Sequence, residues 1–222
     1  FGSLFILLNA TLNPSPQRGG PGRGQTSSME QLRTDRPLVG QTMPNVTLKV
    51  FQAGKDTSLQ LADYRGRWLI LFFYPADFTF VCPTELVEMA DLYSEFQKIN
   101  TEVVSVSTDT VFVHKAWHDQ SHSIAKITYP MAADPGGTFS KMLGTYLPDE
   151  GLSLRATMII DPDGVVKAVE MHDNSIGRNA KELLRKLQAA QYVRDNGGEV
   201  CPASWTPGAA TLKPGMGLVG KI

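Results

Sequence analysis

A mixed α/β domain, with a central sheet covered by helices on both faces, is the fold class that the sequence predicts. The segment Trp68–Tyr74 (WLILFFY) is a continuous apolar run between Gly66 and Pro75, which is typical of a strand buried on both faces. Segments with helical periodicity alternate with strands along the chain, as in sheets covered by helices. Residues 161–164 (DPDG) carry Pro and Gly where a turn between two strands needs them.

The predicted elements follow one another from Gln41 onward. Strands are predicted at Val46–Phe51, Trp68–Tyr74, Glu102–Ser107, Ala156–Ile160 and Val165–Glu170. Helices are predicted at Thr84–Ile99, Thr110–Ser121 and Arg178–Val193. The last helix ends at Asn196–Gly197–Gly198, because Asn and Gly favour the backbone conformation that terminates helices.

Both ends of the chain lack this periodicity. The first 28 residues contain no Asp or Glu and twelve Gly, Pro or Ser, a composition that cannot bury enough surface to fold. The first methionine is Met29, which we interpret as a candidate natural start. Beyond Gly198 the chain is rich in Gly and Pro. The predicted division is a disordered extension (1–40), a folded domain (41–198) and a C-terminal arm (199–222).

Composition and charge argue against several classes of protein. The 222 residues carry 21 basic and 22 acidic side chains, a formal net charge of −1, whereas a general nucleic-acid binder needs an excess of positive charge. The apolar fraction is 42%, which suffices for one ordinary core. No apolar run approaches the roughly 18 to 20 residues that span a bilayer, so a membrane protein is not expected.

Two cysteines, Cys82 and Cys201, are too few for a disulfide-dense secreted scaffold. Neither has a Cys or His partner at the spacing of a structural zinc site. Cys82 lies between the buried strand and the next helix, and Pro83 is favoured at a first helical position. A helix N-terminus favours a thiolate, but an inert core cysteine fits this position equally well. Inert thiols, a structural bridge and a reactive pair all remain open.

Three histidines, His114, His118 and His122, recur at four-residue spacing on and after a predicted helix. That spacing can present imidazoles to zinc, but no H-E-x-x-H arrangement accompanies them. We therefore interpret them as a partly exposed polar face, and no metal site is predicted.

A longer pattern surrounds the first cysteine. Pro75, Thr79 and Cys82 form P-x-x-x-T-x-x-C, followed directly by Pro-Thr-Glu, and Cys201 lies in the segment Gly-Glu-Val-Cys-Pro. These motifs resemble the two active-site segments of two-cysteine peroxiredoxins. The segments FVHKAWH, DEGL, AAQYV and the ending LVGKI resemble the bacterial alkyl hydroperoxide reductase branch of that family. The resemblance runs from about Gln41 to Ile222.

This resemblance implies a thioredoxin-like fold and a cytoplasmic, cofactor-independent peroxidase for hydrogen peroxide and organic hydroperoxides. Cys82 would attack the peroxide and become a sulfenic acid, and Cys201 of a second subunit would convert it to a disulfide. A flavoprotein disulfide reductase or a thioredoxin-like protein would then restore both thiols. The family further implies dimers that assemble into a decameric ring. An oligomeric holdase chaperone is the alternative.

The resemblance also assigns five supporting residues. Thr79 would place its hydroxyl beside the sulfur and the peroxide, and Pro75 would shape and shield the pocket. Arg155 would stabilise the thiolate and the charge on the leaving oxygen. Glu85 and Arg178 match further polar positions of the family and are expected to orient Arg155.

Overall fold

Seven strands form one central mixed sheet in the computed structural model, which describes residues 32 and 35–221. Its strands lie in the spatial order β2-β1-β5-β4-β3-β8-β9. They are β1 (Thr47–Gln52), β2 (Lys55–Gln60), β3 (Trp68–Phe73), β4 (Thr101–Ser107), β5 (Met131–Ala133), β8 (Arg155–Ile160) and β9 (Val166–His172). A separate pair of short strands is formed by β6 (Tyr146–Leu147) and β7 (Leu152–Ser153). The helices are α1 (Cys82–Asp91), α2 (Tyr93–Lys98), α3 (Val111–Gln120), α4 (Thr138–Met142) and α5 (Ala180–Asp195).

The apolar run of the sequence forms the middle of this sheet. All six residues of β3 are buried, and the strand pairs in parallel with β4 and antiparallel with β8. Ile70 and Phe72 contribute to a core that includes residues of α1, α2, α3 and α5. Leu69, Leu71 and Phe73 contribute to a second core that includes residues of α4 and of the chain before β1. Because successive side chains of a strand point to opposite faces, helices cover both sides, and the predicted fold class is confirmed.

The predicted hairpin is present between β8 and β9. The Gly164 amide donates to the Asp161 carbonyl at 2.8 Å, and Gly164 has φ +78°, a left-handed conformation that favours glycine. The two strands pair antiparallel. The turn therefore brings the chain straight back along β8, whose first residue is Arg155.

The structure corrects the prediction of one continuous helix over Thr84–Ile99. α1 begins two residues earlier, at Cys82, and a break at Leu92 separates it from α2. Apolar periodicity continues across the break, so the sequence pattern does not reveal it. The strands β2 and β5 were missed for different reasons: β2 buries only one side chain, Leu59, and β5 is three residues long.

Both ends of the described chain pack against the domain. The Gly40 amide donates to the Val166 carbonyl at 2.8 Å, and Leu32 and Leu38 pack against the second core, so packed residues also occur before the predicted boundary at residue 41. Residues 1–31 of the predicted disordered extension lie outside the described residues, as do 33 and 34. In the arm, Trp205 is buried against Tyr192 of α5 with ring centroids 5.1 Å apart. The division into three segments stays a prediction.

No helix in the described part of the chain is both long enough and apolar enough to cross a membrane.

Candidate active site

Cys82 is the first residue of α1 and is completely buried. Pro83 follows it in the first turn, where the missing N–H of proline costs nothing because such amides have no partner within the helix. The loop of residues 74–81 carries the chain from the end of β3 to this helix. The sulfur therefore lies at the positive end of α1, within the core beside the central sheet.

Arg155 brings a positive charge directly to this sulfur. Its Nη1 donates to Cys82 Sγ at 3.4 Å, and its Nε donates to the Asn174 carbonyl at 2.9 Å. The Arg155 side chain is 3% exposed, so little water screens the interaction. A cation held at this distance stabilises a thiolate and any negative charge that develops nearby.

Glu85 lies between two arginines, one turn after Cys82. Its carboxylate accepts from Arg155 Nη1 at 2.7 Å, and from the Nε and Nη2 of Arg178 at 2.9 and 3.0 Å. The Arg178 backbone amide also donates to it at 2.6 Å. Since one N–H of Arg155 Nη1 is held by Glu85, its other N–H is directed at the sulfur.

The charges in this cluster determine the protonation state of the Glu85 carboxyl. Burial alone would raise the pKa of its carboxyl, but the hydrogen bonds and charge of Arg178, with the charge of Arg155, outweigh burial and lower the pKa. Glu85 is therefore ionised at neutral pH, and it neutralises one of the two guanidinium charges. One net positive charge remains beside Cys82.

The loop before α1 carries Pro75 and Thr79. Pro75 is buried and Thr79 is half-buried. The Thr79 hydroxyl donates its proton to the Ala76 carbonyl at 2.9 Å. Because a hydroxyl has one proton and two lone pairs, the Thr79 oxygen is left as an acceptor toward any other group.

Cys201 lies apart from these residues in its own chain. Its partly exposed Sγ lies 3.8 Å from the Ala189 carbonyl of α5. Burial raises the pKa of the Cys201 thiol; nearby Arg185 opposes this effect and Glu199 adds to it. Both cysteines are free thiols.

The separation of the two thiols follows from the direction of α5. A Cβ on Gly177 would lie 3.3 Å from Val81, Arg178 binds Glu85, and the Ala180 amide donates to Glu88. Residues 177–180 therefore run alongside residues 81–88, and α5 continues from there away from Cys82. Ala189 lies about 13 Å further along the helix, so the structure does not bring Cys201 to the other predicted site residues within one chain.

The sequence did not reveal a buried polar cluster under the loop. The Tyr74 hydroxyl donates to Asp77 Oδ1 at 2.6 Å, and His114 Nδ1 lies 2.7 Å from Asp77 Oδ2. His114 is 0% exposed, so its interpretation as part of a partly exposed polar face is wrong. A signal was present: His114 follows Val111 and precedes Trp117 by three residues, and both are buried apolar residues of the same helix.

The shared carboxylate generates a stability prediction. We expect Glu85→Gln to lower the free energy of unfolding by about 3 kcal/mol at pH 7, because it leaves two buried guanidinium groups without their counter-charge. The exposed pair of Glu95 with Lys98 gives the control, and Glu95→Gln should cost no more than about 0.5 kcal/mol. Urea unfolding of the three proteins provides the comparison.

The pH dependence of this difference follows from the lowered pKa of Glu85. A carboxyl whose folded pKa is depressed stabilises the protein above its unfolded pKa of about 4.3, and this contribution is lost as the pH falls through the folded value. The difference in the free energy of unfolding between the parent and Glu85→Gln should therefore be constant near neutral pH and become smaller in acid. Equal stabilities at pH 7 would contradict the assigned role of Glu85.

Known proteins share this sequence and fold over most of the chain. The AhpC/TSA family profile matches residues 39–169. Alkyl hydroperoxide reductase C of Salmonella typhimurium is 53% identical over 174 residues, covering 78% of this chain and 93% of the relative. The protein of that name from Amphibacillus xylanus is 50% identical over 186 residues, covering 83% of this chain and 99% of the relative.

Solved structures agree with the sequence comparisons. AhpC of Enterococcus faecalis has 45% identity and a TM-score of 0.73, covering 75% of this chain and 100% of that chain. The reduced 2-Cys peroxiredoxin of Plasmodium vivax has 30% identity and a TM-score of 0.78, covering 81% of this chain and 95% of that chain. The chain therefore belongs to the AhpC/TSA family of peroxiredoxins.

Proposed function

We propose that Cys82 is the residue that attacks the peroxide and that Cys201 of a second subunit resolves the product. Membership of the family makes the chain a thiol-dependent peroxidase, and hydrogen peroxide and organic hydroperoxides are the proposed substrates. The observation that carries this assignment is the contact of 3.4 Å between the Arg155 guanidinium and the buried Cys82 sulfur. The cytoplasmic location implied by the resemblance stays a prediction.

In the first step, the Cys82 thiolate attacks the terminal oxygen of the hydroperoxide. The S–O bond forms as the O–O bond breaks, and the electron pair of the O–O bond goes to the leaving oxygen. That oxygen takes a proton and leaves as water or an alcohol, while Cys82 becomes a sulfenic acid. Arg155 lies where it would stabilise the charge that moves from sulfur to oxygen.

The loop residues complete the proposed peroxide pocket. Since the Thr79 proton is committed to the Ala76 carbonyl, the Thr79 oxygen would accept the O–H of the peroxide and orient its terminal oxygen toward sulfur. Pro75 has no N–H, so it covers the pocket without presenting a competing donor. Cys82, Arg155, Thr79 and Pro75 are thus the proposed catalytic residues, and Glu85 and Arg178 are positioning residues.

In the second step, the Cys201 thiol condenses with the sulfenic acid. The S–S bond forms, and the sulfenic hydroxyl leaves with the Cys201 proton as water. A disulfide requires Cα atoms within about 7 Å, whereas α5 leads Cys201 away from Cys82 of the same chain. A second subunit would therefore supply Cys201. A flavoprotein disulfide reductase or a thioredoxin-like protein is the proposed electron donor.

Single cysteine variants test this assignment. Cys82→Ser should lower the rate of hydroperoxide consumption in the presence of dithiothreitol by a factor of about 10³ or more, because the nucleophile is lost. Cys201→Ser is the matched control, and it should still form one Cys82 sulfenic acid per chain, detectable by a sulfenic-acid trap and mass spectrometry. A Cys82→Ser protein as fast as the parent would overturn the assignment.

The position of the disulfide has its own test. Parent protein treated with one equivalent of hydrogen peroxide should migrate as a dimer on a non-reducing gel and as a monomer after dithiothreitol. Either single cysteine variant should remain a monomer under both conditions. Full thiol consumption with a monomeric product would instead place the bond within one chain.

Assembly into a decameric ring is the proposed quaternary structure. Phe80 and Phe78 of the loop are 93% and 53% exposed, and exposed aromatic rings are enriched at protein interfaces. Phe78 has φ +54°, a rare conformation for a non-glycine residue. Because Cys82 is completely buried, forming the disulfide would require the first turn of α1 to unwind, and a ring contact at this loop would be sensitive to that unwinding.

Sedimentation of both redox forms tests this proposal. Reduced parent should sediment as the larger species, and oxidation should reduce the sedimentation coefficient because the opened helix start disturbs the contact. Phe80→Glu should sediment as a smaller species already when reduced. Met216→Glu, at an equally exposed residue of the arm (88%), should behave like the parent. Identical sedimentation of reduced and oxidised parent would contradict the coupling.

A further inference from the structure

The loop that carries Pro75 and Thr79 rests on a buried polar cluster that the proposed mechanism does not use. Asp77 is the loop residue at its centre and is 6% exposed. Its Oδ1 accepts from the Tyr74 hydroxyl at 2.6 Å, its Oδ2 faces His114 Nδ1 at 2.7 Å, and its amide donates to Asp109 Oδ2 at 2.8 Å.

The His114 ring joins this loop to the central sheet. Its Nε2 lies 3.2 Å from the Ala132 carbonyl of β5. A carbonyl oxygen only accepts, so Nε2 carries a hydrogen. Nδ1 faces a carboxylate oxygen, so one further proton lies between the ring and Asp77. The imidazole is therefore fixed at both ends by hydrogen bonds, and the His114 side chain is completely buried.

Asp77 in turn controls the group that receives the Thr79 hydroxyl. The Ala76 carbonyl and the Asp77 N–H belong to one planar peptide unit. Asp109 binds the N–H side of this plane and Thr79 binds its carbonyl side. Holding the Asp77 side chain and amide therefore fixes the direction of the Ala76 carbonyl, and through it the direction of the Thr79 lone pairs.

We propose that His114 is a positioning residue of the peroxidase site, which acts through Asp77 and the Ala76 carbonyl to keep the Thr79 oxygen directed at the peroxide. This inference rests on the proposed function, because it concerns how Thr79 binds the substrate. It separates two requirements of the site. Arg155 and Glu85 set the charge beside the Cys82 sulfur. His114 sets the direction of the Thr79 oxygen, which would accept the O–H of the peroxide.

Two substitutions at His114 separate its two hydrogen bonds. Asn places its amide nitrogen near the position of Nδ1, so His114→Asn retains a donor to Asp77. Gln places its amide nitrogen near Nε2, so His114→Gln retains only the donor to the Ala132 carbonyl. The second-order rate constant of Cys82 with hydrogen peroxide should stay within about threefold of the parent for His114→Asn and fall about tenfold for His114→Gln.

A second readout distinguishes positioning from general damage to the fold. Alkylation of Cys82 by iodoacetamide, measured in the Cys201→Ser background, needs a reactive sulfur but no acceptor for a peroxide O–H. Its rate should be the same in both His114 variants and the parent. If alkylation falls in parallel with the peroxide reaction, or if both variants lose peroxide activity equally, the proposal is wrong.

A double-mutant cycle tests the route through Thr79. In a Thr79→Val background, His114→Gln should cause almost no further loss of peroxide rate, because the group that it positions is gone. An undiminished tenfold loss in that background would overturn the route. Should His114→Gln fail to fold, Tyr74→Phe removes a hydrogen bond from the same carboxylate without opening a large cavity. It should slow the peroxide reaction and leave alkylation unchanged.

The parent protein separates this inference from the proposed function. If the parent consumes peroxide, Cys82→Ser does not, and His114→Gln equals the parent, then only the role of His114 is refuted. If the parent itself consumes no peroxide, the proposed function fails, and the positioning role fails with it.

Discussion

The buried carboxylate of Glu85 is the interaction on which the rest of the site depends. It accepts four hydrogen bonds, one from Arg155 and three from Arg178, and so joins α1 to β8 and to the chain that enters α5. Two adjacent guanidinium groups would repel each other in this poorly screened interior, and their desolvation would be costly without a counter-charge. With Glu85 in place, the cluster keeps one positive charge beside Cys82.

The central sheet positions this cluster at the end of β3, next to Cys82. Phe72 of β3 pairs with Thr157 of β8 in antiparallel register, and continuing this register sets Arg155 opposite Tyr74, where the chain leaves the sheet. Eight residues later the chain returns as Cys82 at the start of α1. The Arg178 guanidinium, 3.5 Å from the Phe72 ring centroid, anchors the far side of the cluster on the same strand. A strand that is apolar on both faces thus supports a charged site at its end.

Local sequence information predicted part of this arrangement and missed part of it, for physical reasons. The run Trp68–Tyr74 and the DPDG turn depend on neighbours in the chain, so their elements were found. The resemblance indicated Arg155, yet its contact with a sulfur 73 residues away depends on the pairing of β3 with β8. His114 and Asp77 are 37 residues apart, and nothing near either residue shows that they meet. The break at Leu92 and the short β5 leave no distinct pattern.

The same cluster limits how the site can open. Cys82 is completely buried, so a thiol from another segment or subunit could reach it only when the start of α1 unwinds. The Thr84 and Glu85 amides donate to the Val81 carbonyl at 3.0 and 3.3 Å, and opening the first turn would break these bonds. The Glu85 side chain, however, is held by two arginines within the core. Opening confined to residues 82–84 leaves that cluster intact, and it costs far less than unfolding the domain. The position of Glu85, three residues after the sulfur, therefore sets both the net charge beside Cys82 and the point where local unwinding stops.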